Sequence, residues 1–568
     1  MRYLSILLFL CPVNLWAATW YVRTDGGKYG TSSSTCNGQT DAAFTGSNGP
    51  GCGVDHPFEI LGTYTGDPLV TRISAGDTVI IKNGSYRMGY TSGVYDSGIC
   101  YSDWTYTCYT DEIPSGVDAN NKTKIYGEGW NSGCATKPEL WGVGRADYMF
   151  NLDASSNVDM RCLDITDHDN CGVGDAGAPN ACDESAPYTG HLHARRGVYA
   201  YNGSNNEFTD IDVHGMVYTG FMLGKQTALT MTDVNIIGNG HAGVDQDTPE
   251  ADDSWSGSNV FTRVKINWNG CAENYPVDGG YNNCVDQNDA GYGDGWGSTD
   301  TAGDFTFTDV EFKYNTSDTL DLLYHTDGAA IVTVERGYFE GNVGNSLKFG
   351  GNQAIVRNTV VIANCGFFDQ YGQTGTNFAV CRAGGNAIVM DVGDGDDFAL
   401  VNNTIVGESD ILVEIFGCDT GEDIQIKNNV FQGTTEWGGG DTTSWMFNYS
   451  GCDGTEVTAT HNVIFDTQEV NPCTDPITQS NCYETDPNLT TFSFGPDSFD
   501  VIVTPTSDAI NNGLAASTVV GNTTVPSDDY RALSRDANVD IGAYEYNASS
   551  PPPQATISGV TFSGATKQ

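Results

Sequence analysis

The sequence predicts an all-β protein, a right-handed parallel β-helix solenoid with disulfide-closed loops. A short strand pattern recurs with smallest spacings of 22 to 25 residues, which is the length of one coil. A polar column runs through these strands, and most cysteines stand close to another cysteine. The composition agrees, because abundant Gly, Asn, Asp and Thr with few Lys favour β-turns over long helices.

The strand pattern is an apolar start, a polar residue two positions later, and alternating apolar residues after it. The starts are Met160, Phe208, Met231, Phe261, Phe307, Val334, Val356, Val401, Ile426 and Ala459. The polar positions are Asp210, Asp233, Asp309, Asn358, Asn403, Asn428 and His461. We expect side-chain amides in this column to stack between coils that lie about 4.8 Å apart.

A second column begins eleven residues after the starts, with tetrads that have a small second residue and an apolar third. Uninterrupted repeats give the tetrads 219–222, 242–245, 318–321 and 345–348. Two more, 196–199 and 294–297, fit if loops are inserted before them.

Three insertions, 167–195, 269–293 and 364–385, account for the long spacings, and each carries one cysteine pair. The register places all three at the same corner of the solenoid. Loops that leave one side of a repeat protein commonly build its binding face, so we expect a groove beside the coils between them. The alternative is that they cover a hydrophobic patch.

Of the 17 cysteines, Cys11 belongs to the N-terminal leader and the others form near neighbours. The predicted pairs are Cys36/Cys52, Cys100/Cys108, Cys171/Cys182, Cys271/Cys284, Cys365/Cys381, Cys418/Cys452 and Cys473/Cys482, which leaves Cys134 and Cys162 as the eighth. No pair has metal-site spacing with nearby histidines, which argues against zinc.

The ends of the chain set the predicted boundaries. Residues 1–18 have the charged start, short apolar core and small exit of a secretory signal, with a retained anchor as the alternative. We expect an N-terminal cap region at 19–75, the β-helix domain at 76–546, and a Pro-rich linker and tail at 547–568. Within the domain, residues 539–546 resemble the closing strand of secreted β-helix proteins.

A formal net charge of −48 argues against nucleic acid and anionic membranes as partners. No segment approaches the roughly 20 apolar residues that span a bilayer, so we expect a secreted, extracellular monomer. The same charge conflicts with an acidic polysaccharide as substrate, and the conflict eases if calcium bridges protein and substrate or if the ambient salt is high.

One constellation could carry chemistry. By the tetrad register, Asp294, Asp318 and Asn345 stack in one column, and Asp321 and Lys348 follow in the neighbouring column. Calcium takes six to eight oxygen ligands, so Asp294, Asp318 and Asp321, with Ser317, form a candidate calcium site. A solvated acidic face is the alternative reading.

Lys348 is notable because lysine is scarce in this chain. It either forms a salt bridge with Asp321 or acts as a general base. An unperturbed lysine has a pKa of about 10.4, so its neutral form at pH 7 costs roughly 4.6 kcal/mol. A nearby cation would lower that cost and withdraw charge from a bound uronate carboxylate, which is the chemistry of β-elimination.

The same residues resemble the family nine polysaccharide lyases, pectate lyases of β-helix fold. Residues 315–322, Asn-Thr-Ser-Asp-Thr-Leu-Asp-Leu, are similar to that family's Asn-Ser-Asp-Asp-Gly-Trp-Asp-Leu signature, and 345–351 to its Asn-Gly-Phe-Lys-Leu-Gly-Gly segment. Asp294 begins a match to its upstream Asp-Gly-Phe. The resemblance covers about 60 residues, and it implies calcium at the three aspartates and proton abstraction by Lys348.

The sequence also departs from the family pattern. Ser317 stands where the family has the first of two adjacent aspartates, which removes one ligand charge. Thr319 and Leu320 replace Gly and Trp, so the floor of the site differs.

Two arginines are candidates for binding substrate. Arg196, at the exit of the first stapled loop, could bind a carboxylate or support the loop base. Arg357 could neutralise a uronate or satisfy the acidic ladder. The paired acids Asp396 and Asp397 could instead suggest a hydrolase, but no second acid stands at a readable distance.

The sequence therefore predicts a secreted, calcium-dependent lyase that cleaves a uronic-acid-containing, pectate-like polysaccharide by β-elimination. The alternatives are a non-catalytic extracellular glycan-binding or adhesion protein and a β-helix glycoside hydrolase.

Overall fold

The computed structural model describes residues 17–546 except 31–32, 47–50, 58–60, 62–71, 90–107, 144–145, 173–181, 183–192, 248–253, 278, 283, 285–292, 300, 326–328, 352, 365–367, 369–384, 394, 419–420, 435–444, 451, 453–454, 475–476 and 492–499. The predicted signal peptide, up to residue 16, and the predicted tail lie outside this range. Among the described residues, no helix has the length and apolar character that crossing a bilayer requires.

The described secondary structure consists of strands. They are β1 (Thr19–Gly27), β2 (Thr78–Ile81), β3 (Ser85–Gly89), β4 (Cys108–Tyr109), β5 (Thr123–Gly127), β6 (Glu139–Val143), β7 (Ala146–Asn151), β8 (Val158–Asp167), β9 (Ala194–Ala200), β10 (Gly203–Ser204), β11 (Glu207–His214), β12 (Thr219–Leu223), β13 (Gln226–Thr227), β14 (Thr230–Thr232), β15 (Asn235–Ile237), β16 (Val244–Asp245), β17 (Ser258–Thr262), β18 (Lys265–Asn267), β19 (Ala272–Glu273), β20 (Tyr281–Asn282), β21 (Trp296–Gly297), β22 (Asp304–Thr308), β23 (Glu311–Lys313), β24 (Leu320–Leu322), β25 (Ile331–Glu335), β26 (Tyr338–Glu340), β27 (Leu347–Phe349), β28 (Gln353–Arg357), β29 (Val360–Ala363), β30 (Ile388–Asp391), β31 (Asp397–Val401), β32 (Thr404–Gly407), β33 (Ile411–Phe416), β34 (Asp423–Lys427), β35 (Val430–Gly433), β36 (Trp445–Ser450), β37 (Val457–Thr460), β38 (Val463–Phe465), β39 (Leu489–Thr491), β40 (Asp500–Val503), β41 (Val519–Val520) and β42 (Thr523–Thr524).

Two long parallel sheets confirm the predicted solenoid. One has 23 strands, and the other has 11 in the order β36-β33-β30-β27-β24-β21-β16-β12-β9-β7-β4. A typical coil contributes two strands to the first sheet and one to the second, as β22, β23 and β24 do. At the start of the chain, β1 pairs in parallel with β2. We call the 11-strand sheet the site sheet and the 23-strand sheet the large sheet.

The apolar strand starts form a buried column in the solenoid interior. Phe208 pairs with Met231, and the column continues through Phe261 and Phe307 to Val334. One start was wrong by a residue, because Val356 pairs with Leu400 and not with Val401. The burial of this column is what fixes the coils in register.

The backbone bends at each residue of the predicted polar column, and the same one-residue error affects this column. Asn402, not Asn403, belongs to the column, whose members have left-handed φ angles such as 50° at Asn358 and 60° at Asn428. Asn and Asp adopt this conformation more readily than most residues. Apart from Asn402 and Asn428, the stacked amides lie in other columns.

Two buried asparagine ladders supply the stacking that was expected of the bend. In one, each Nδ2 donates to the next Oδ1 over 3.0 Å through Asn239, Asn269, Asn315 and Asn342. The other contains Asn403, Asn429 and Asn462. Buried amides that are satisfied in this way tie neighbouring coils together without leaving unpaired polar groups.

Six predicted disulfides are confirmed: Cys36–Cys52, Cys134–Cys162, Cys171–Cys182, Cys271–Cys284, Cys418–Cys452 and Cys473–Cys482. The pairs Cys100/Cys108 and Cys365/Cys381 involve residues outside the described parts of the chain. The three insertions follow β8, β18 and β29 and precede β9, β21 and β30. Each therefore leaves the corner between the large sheet and the site sheet, as predicted.

The predicted closing strand at 539–546 is wrong, because this segment is irregular and lies against the outside of the coils. Asn358, Asn402 and Asn428 of the bend donate side-chain hydrogen bonds to carbonyl oxygens of residues 514–542. Ala543 donates its N–H to Thr404 Oγ1 over 3.0 Å. These contacts of residues 514–543 all lie on the large sheet.

Candidate functional site

The strand register of the site sheet confirms the predicted columns. Asp321 pairs with Gly297 on one side and with Lys348 on the other. Leu320 pairs with Trp296 and Leu347, which brings Asp294, Asp318 and Asn345 to equivalent positions on successive coils. The apolar third residue of each tetrad is fully buried, so the flanking polar residues are held in line along the sheet.

Lys348 sits between two carboxylates. Its Nζ donates to Asp318 Oδ2 over 2.8 Å and to Asp321 Oδ2 over 2.7 Å. The predicted salt bridge with Asp321 is therefore present, and Asp318 shares the ammonium group. The Lys348 side chain is 14% exposed and that of Asp321 is 13% exposed, so the cluster reaches the surface.

Backbone groups fix the carboxylates. Asn345 donates its N–H to Asp318 Oδ1 over 2.8 Å, and Leu323 donates its N–H to Asp321 Oδ1 over 3.0 Å. Asp318 donates its own N–H to Asp294 Oδ1 over 3.0 Å. One oxygen of each of the two lysine-binding carboxylates is thus held by the backbone, and the other faces the ammonium group.

A glycine permits this packing. A Cβ atom at Gly344 would approach Asp318 Oδ1 to 2.3 Å and the Asp318 backbone nitrogen to 2.7 Å, closer than side chains tolerate. The residue before Asn345 therefore has to be glycine if Asp318 is to accept the Asn345 N–H.

The cluster holds Lys348 as an ammonium ion. Burial opposes the charge, but the carboxylates of Asp318 and Asp321 outweigh it and raise the pKa of Lys348 above its usual value. Burial raises the pKa of Asp321, and Lys348 opposes that shift. As described, the lysine is an ion-pair partner and not a free base.

The aspartates offer the carboxylate oxygens that calcium prefers, but these oxygens do not surround one common point. Carboxylate oxygens on successive coils are hard ligands, as calcium requires. Within the described residues, however, the only three His, Cys, Asp or Glu side chains whose ligand atoms all lie within 4.8 Å of one another are Cys171, Cys182 and His193. Two of those are joined as a disulfide. At Asp318 and Asp321 the ammonium of Lys348 takes the oxygens that a cation would use.

Ser317, the remaining candidate ligand, is fully buried. Its carbonyl oxygen accepts the N–H of Gly344 over 3.0 Å, which ties the turn before one strand to the turn before the next. Asn315 of the same motif belongs to an asparagine ladder, so its position in the pattern is explained by the fold.

Arg196 lies on the site sheet, in the same column as Asp294 and Asp318. It pairs with Thr219 across β9 and β12, and the column continues through two further strands to Asp318. Its Nη1 donates to Asp147 Oδ1 over 2.6 Å, and its guanidinium lies 5.0 Å from the centre of the Tyr218 ring. The position fits the predicted loop base, and the side chain is 12% exposed.

Arg357 is a correction, because the structure does not bring it to Lys348. It lies on β28 of the large sheet. There it donates hydrogen bonds to Glu335 Oε2 over 2.8 Å and to Thr523 Oγ1 over 3.2 Å. Satisfying the acidic ladder is the reading that its position supports. Asp396 and Asp397 are also remote, since Asp397 pairs with Asp423 on the large sheet.

The sequence reasoning missed Glu414 and Asn386. Glu414 lies two strands beyond Lys348 in the same column, where it accepts hydrogen bonds from Asn386 and, over 3.2 Å, from Asn448. The tetrad 411–414 begins eleven residues after Leu400, so the misplaced start at Val401 concealed it. The column of Asp318 ends at Trp445, whose side chain is 47% exposed.

No protein-family model and no curated protein matches the chain. Among solved structures it is similar to the pectate lyase Pel9A, with a TM-score of 0.41, 14% identity and coverage of 93% of this chain and 96% of the other. A rhamnogalacturonan lyase is similar with a TM-score of 0.40 and 15% identity, over 78% of this chain and 87% of the other. The A-module of the Azotobacter vinelandii mannuronan C-5 epimerase AlgE4 is similar with a TM-score of 0.37 and 13% identity, over 72% of this chain and 87% of the other. Because these TM-scores and identities are low, the fold assignment depends on the strand register of this chain.

Proposed function

We propose that this protein is a polysaccharide lyase that cleaves a uronic-acid-containing, pectate-like chain with the help of calcium. The observation that carries the proposal is the position of Lys348, whose Nζ contacts Asp318 and Asp321 in a partly exposed cluster on the site sheet. The similarity of residues 315–322 and 345–351 to family nine lyase segments supports the same reaction. Secretion and a monomeric state stay predictions, and the six disulfides are compatible with an extracellular protein.

In this reaction Lys348 Nζ takes the proton from C5 of a uronate unit. The C5–H electron pair forms the C4–C5 double bond, the C4–O bond breaks, and the departing oxygen takes a proton from water. Calcium held by Asp294, Asp318 and Asp321 would stabilise the charge that develops on the uronate carboxylate. Lys348 becomes a base only when its ion pair with Asp318 and Asp321 is broken.

The double ion pair of Lys348 favours a second candidate, a non-catalytic glycan-binding protein. In that case Lys348 is a structural link between Asp318 and Asp321, and the site sheet binds a polysaccharide without cleaving it. The two candidates differ in whether a product forms.

The test is the ultraviolet absorbance of unsaturated product on pectate, alginate and glycosaminoglycans, with calcium and with a chelator. We expect a calcium-dependent signal from the wild type. Lys348→Ala should lower the rate by about a hundredfold to ten-thousandfold, the range for loss of a general base.

Lys265→Ala is the matched control, because Lys265 lies on the large sheet near Glu311. It should retain the wild-type rate. A folded wild type that gives no unsaturated product on any substrate refutes the lyase. Binding without product supports the second candidate.

A further inference from the structure

A cationic cluster lies on the site sheet at a distance from Lys348. Arg195 and Arg196 of β9 share Asp147 of β7, at 3.7 Å and 2.6 Å from the same Oδ1 atom. Both guanidinium groups lie over the Tyr218 ring, 5.3 Å and 5.0 Å from its centre. Tyr218 in turn stacks on His241 with ring centres 4.2 Å apart. The cluster therefore joins four successive coils, those of β7, β9, β12 and β16.

The cluster is aligned with the column of Asp294 and Asp318. Arg196 and Asp318 occupy one column, and the coil of Lys348 is the next one along. Five strand steps separate β9 from β27, which is about 24 Å at the usual spacing of neighbouring strands. A polysaccharide that crosses the coils at Lys348 would therefore reach the arginines if it followed the sheet.

Two guanidinium groups lie close together here despite the net charge of −48. Burial first, and then Arg196 and Arg195, lower the pKa of His241 to about 4. Burial and Arg195 lower the pKa of Arg196, while Asp147 opposes the shift. His241 therefore stays neutral beside the two guanidinium groups, Asp147 and Asp245 partly offset their charge, and a sugar carboxylate would add a further counter-charge.

The shape of the cluster suits a carboxylate on a sugar ring. Arginine binds carboxylates through two parallel hydrogen bonds. Tyr148 and Tyr199 stack with ring centres 5.1 Å apart beside Arg196, to which Tyr148 is paired in register. Such rings offer an apolar face and a hydroxyl group together.

We infer that Arg195, Arg196 and Tyr218 form a distant subsite that binds the carboxylate of an acidic sugar unit in the same polysaccharide that lies at Lys348. The inference shares the substrate class of the proposed function, but it does not depend on cleavage. It predicts that affinity rises when an oligosaccharide is long enough to span both places, about six units if one unit lies on each coil from β9 to β27.

The experiment measures binding by calorimetry in the full chain carrying Lys348→Ala, which keeps the oligosaccharides intact. The probes are oligogalacturonates and oligomannuronates from dimers to decamers, with carboxyl-reduced oligomers as the neutral series. In this background Arg195→Gln and Arg196→Gln should each lower the affinity for long acidic oligomers by about tenfold. Short acidic oligomers should bind as before.

The matched control is Arg263→Gln, which removes the same charge from an exposed pair with Asp233 on the large sheet. It should change no affinity. We expect Arg195→Gln to fold most readily, since the Arg195 side chain is 32% exposed. Arg196→Lys keeps the positive charge but removes the two parallel hydrogen bonds that a guanidinium group can donate.

An equal loss in the Arg263→Gln control would mean a general charge effect and would overturn the inference. It is also overturned if affinity does not depend on length, if neutral oligomers show the same dependence, or if no acidic oligomer binds. Length-dependent binding by a chain that forms no unsaturated product would sustain the subsite and refute the lyase.

Discussion

Arg535 and Lys348 are both basic side chains held among carboxylates, but only Lys348 lies where a ligand could reach it. The Arg535 side chain is completely buried between the C-terminal segment and the coils, where it pairs with Glu545 over 3.2 Å and donates to Asn358 Oδ1 over 2.9 Å. It also donates to carbonyl oxygens of Asp528 and Gly542. Lys348 is partly exposed and is held by two side-chain carboxylates.

The difference lies in what the chain itself provides. Around Arg535, carbonyl oxygens and an asparagine complete the hydrogen bonds, so the group serves to attach the C-terminal segment to the coils. Around Lys348, two negative charges meet one positive charge at the surface of the site sheet. A charged cluster that the chain leaves unbalanced and accessible is the better place to look for a ligand.

The largest expected effect on stability is at Arg535. Arg535→Ala should lower the free energy of unfolding by about 3–5 kcal/mol, because Glu545 is left buried without its partner. Arg263→Ala, in an exposed pair, should cost less than about 1 kcal/mol. Urea unfolding of both variants checks this, and similar losses in the two would contradict the comparison.

Calcium should distinguish the two clusters next. The Lys348 ammonium competes for the outer oxygens of Asp318 and Asp321, so calcium should raise the melting temperature of Lys348→Ala more than that of the wild type. At a hundredfold excess over the dissociation constant the stabilisation is about 2.7 kcal/mol. Asp318→Asn in the same background should abolish it. An equal or absent calcium response in wild type and Lys348→Ala would exclude this site as the calcium site.

His214 offers a third cluster with a smaller, pH-dependent effect. Its Nε2 lies 2.9 Å from Asp164 Oδ1 and its Nδ1 lies 2.6 Å from Glu273 Oε2, which links the 269–293 loop to β8. Burial opposes protonation, but the two carboxylates outweigh it and raise the pKa of His214 well above its usual value. The folded state therefore binds the proton more tightly than the unfolded state.

This stabilisation is complete below pH about 6.5 and is lost as the pH rises through the folded-state pKa. His214→Gln should cost about 1.5 kcal/mol in mildly acidic solution and less in alkaline solution. Thermal unfolding of both proteins across pH measures this. A difference that stays constant or grows towards alkaline pH would show that His214 is not a charged link.

The repeat could be read from the sequence because burial imposes it. Phe208, Met231, Phe261, Phe307 and Val334 recur at one interior position, and a coil that slipped would expose them. The tetrads followed from the same rule, so the stacking of Asp294, Asp318 and Asn345 was predicted correctly. The near-neighbour cysteines likewise gave five confirmed pairs, and the remaining pair, Cys134–Cys162, is confirmed as well.

The error at Asn402 and Asn403 shows where this reasoning ends. Both are asparagines, but the first adopts the left-handed bend and the second joins a buried ladder. A pattern of polar residues does not distinguish these two roles, because each suits asparagine for a different reason. The same one-residue error placed the strand start at Val401 instead of Leu400, and this concealed Glu414.

The sequence by itself determined the solenoid, the coil length and the order of the site column, because these depend on which side chains avoid water at a fixed spacing. The tertiary structure alone decided the remote position of Arg357, the ion pair of Lys348 with Asp318 as well as Asp321, and the path of residues 539–546 over the large sheet. Those outcomes depend on contacts between residues far apart in the chain, such as Asn358 with Arg535. No local pattern encodes such contacts.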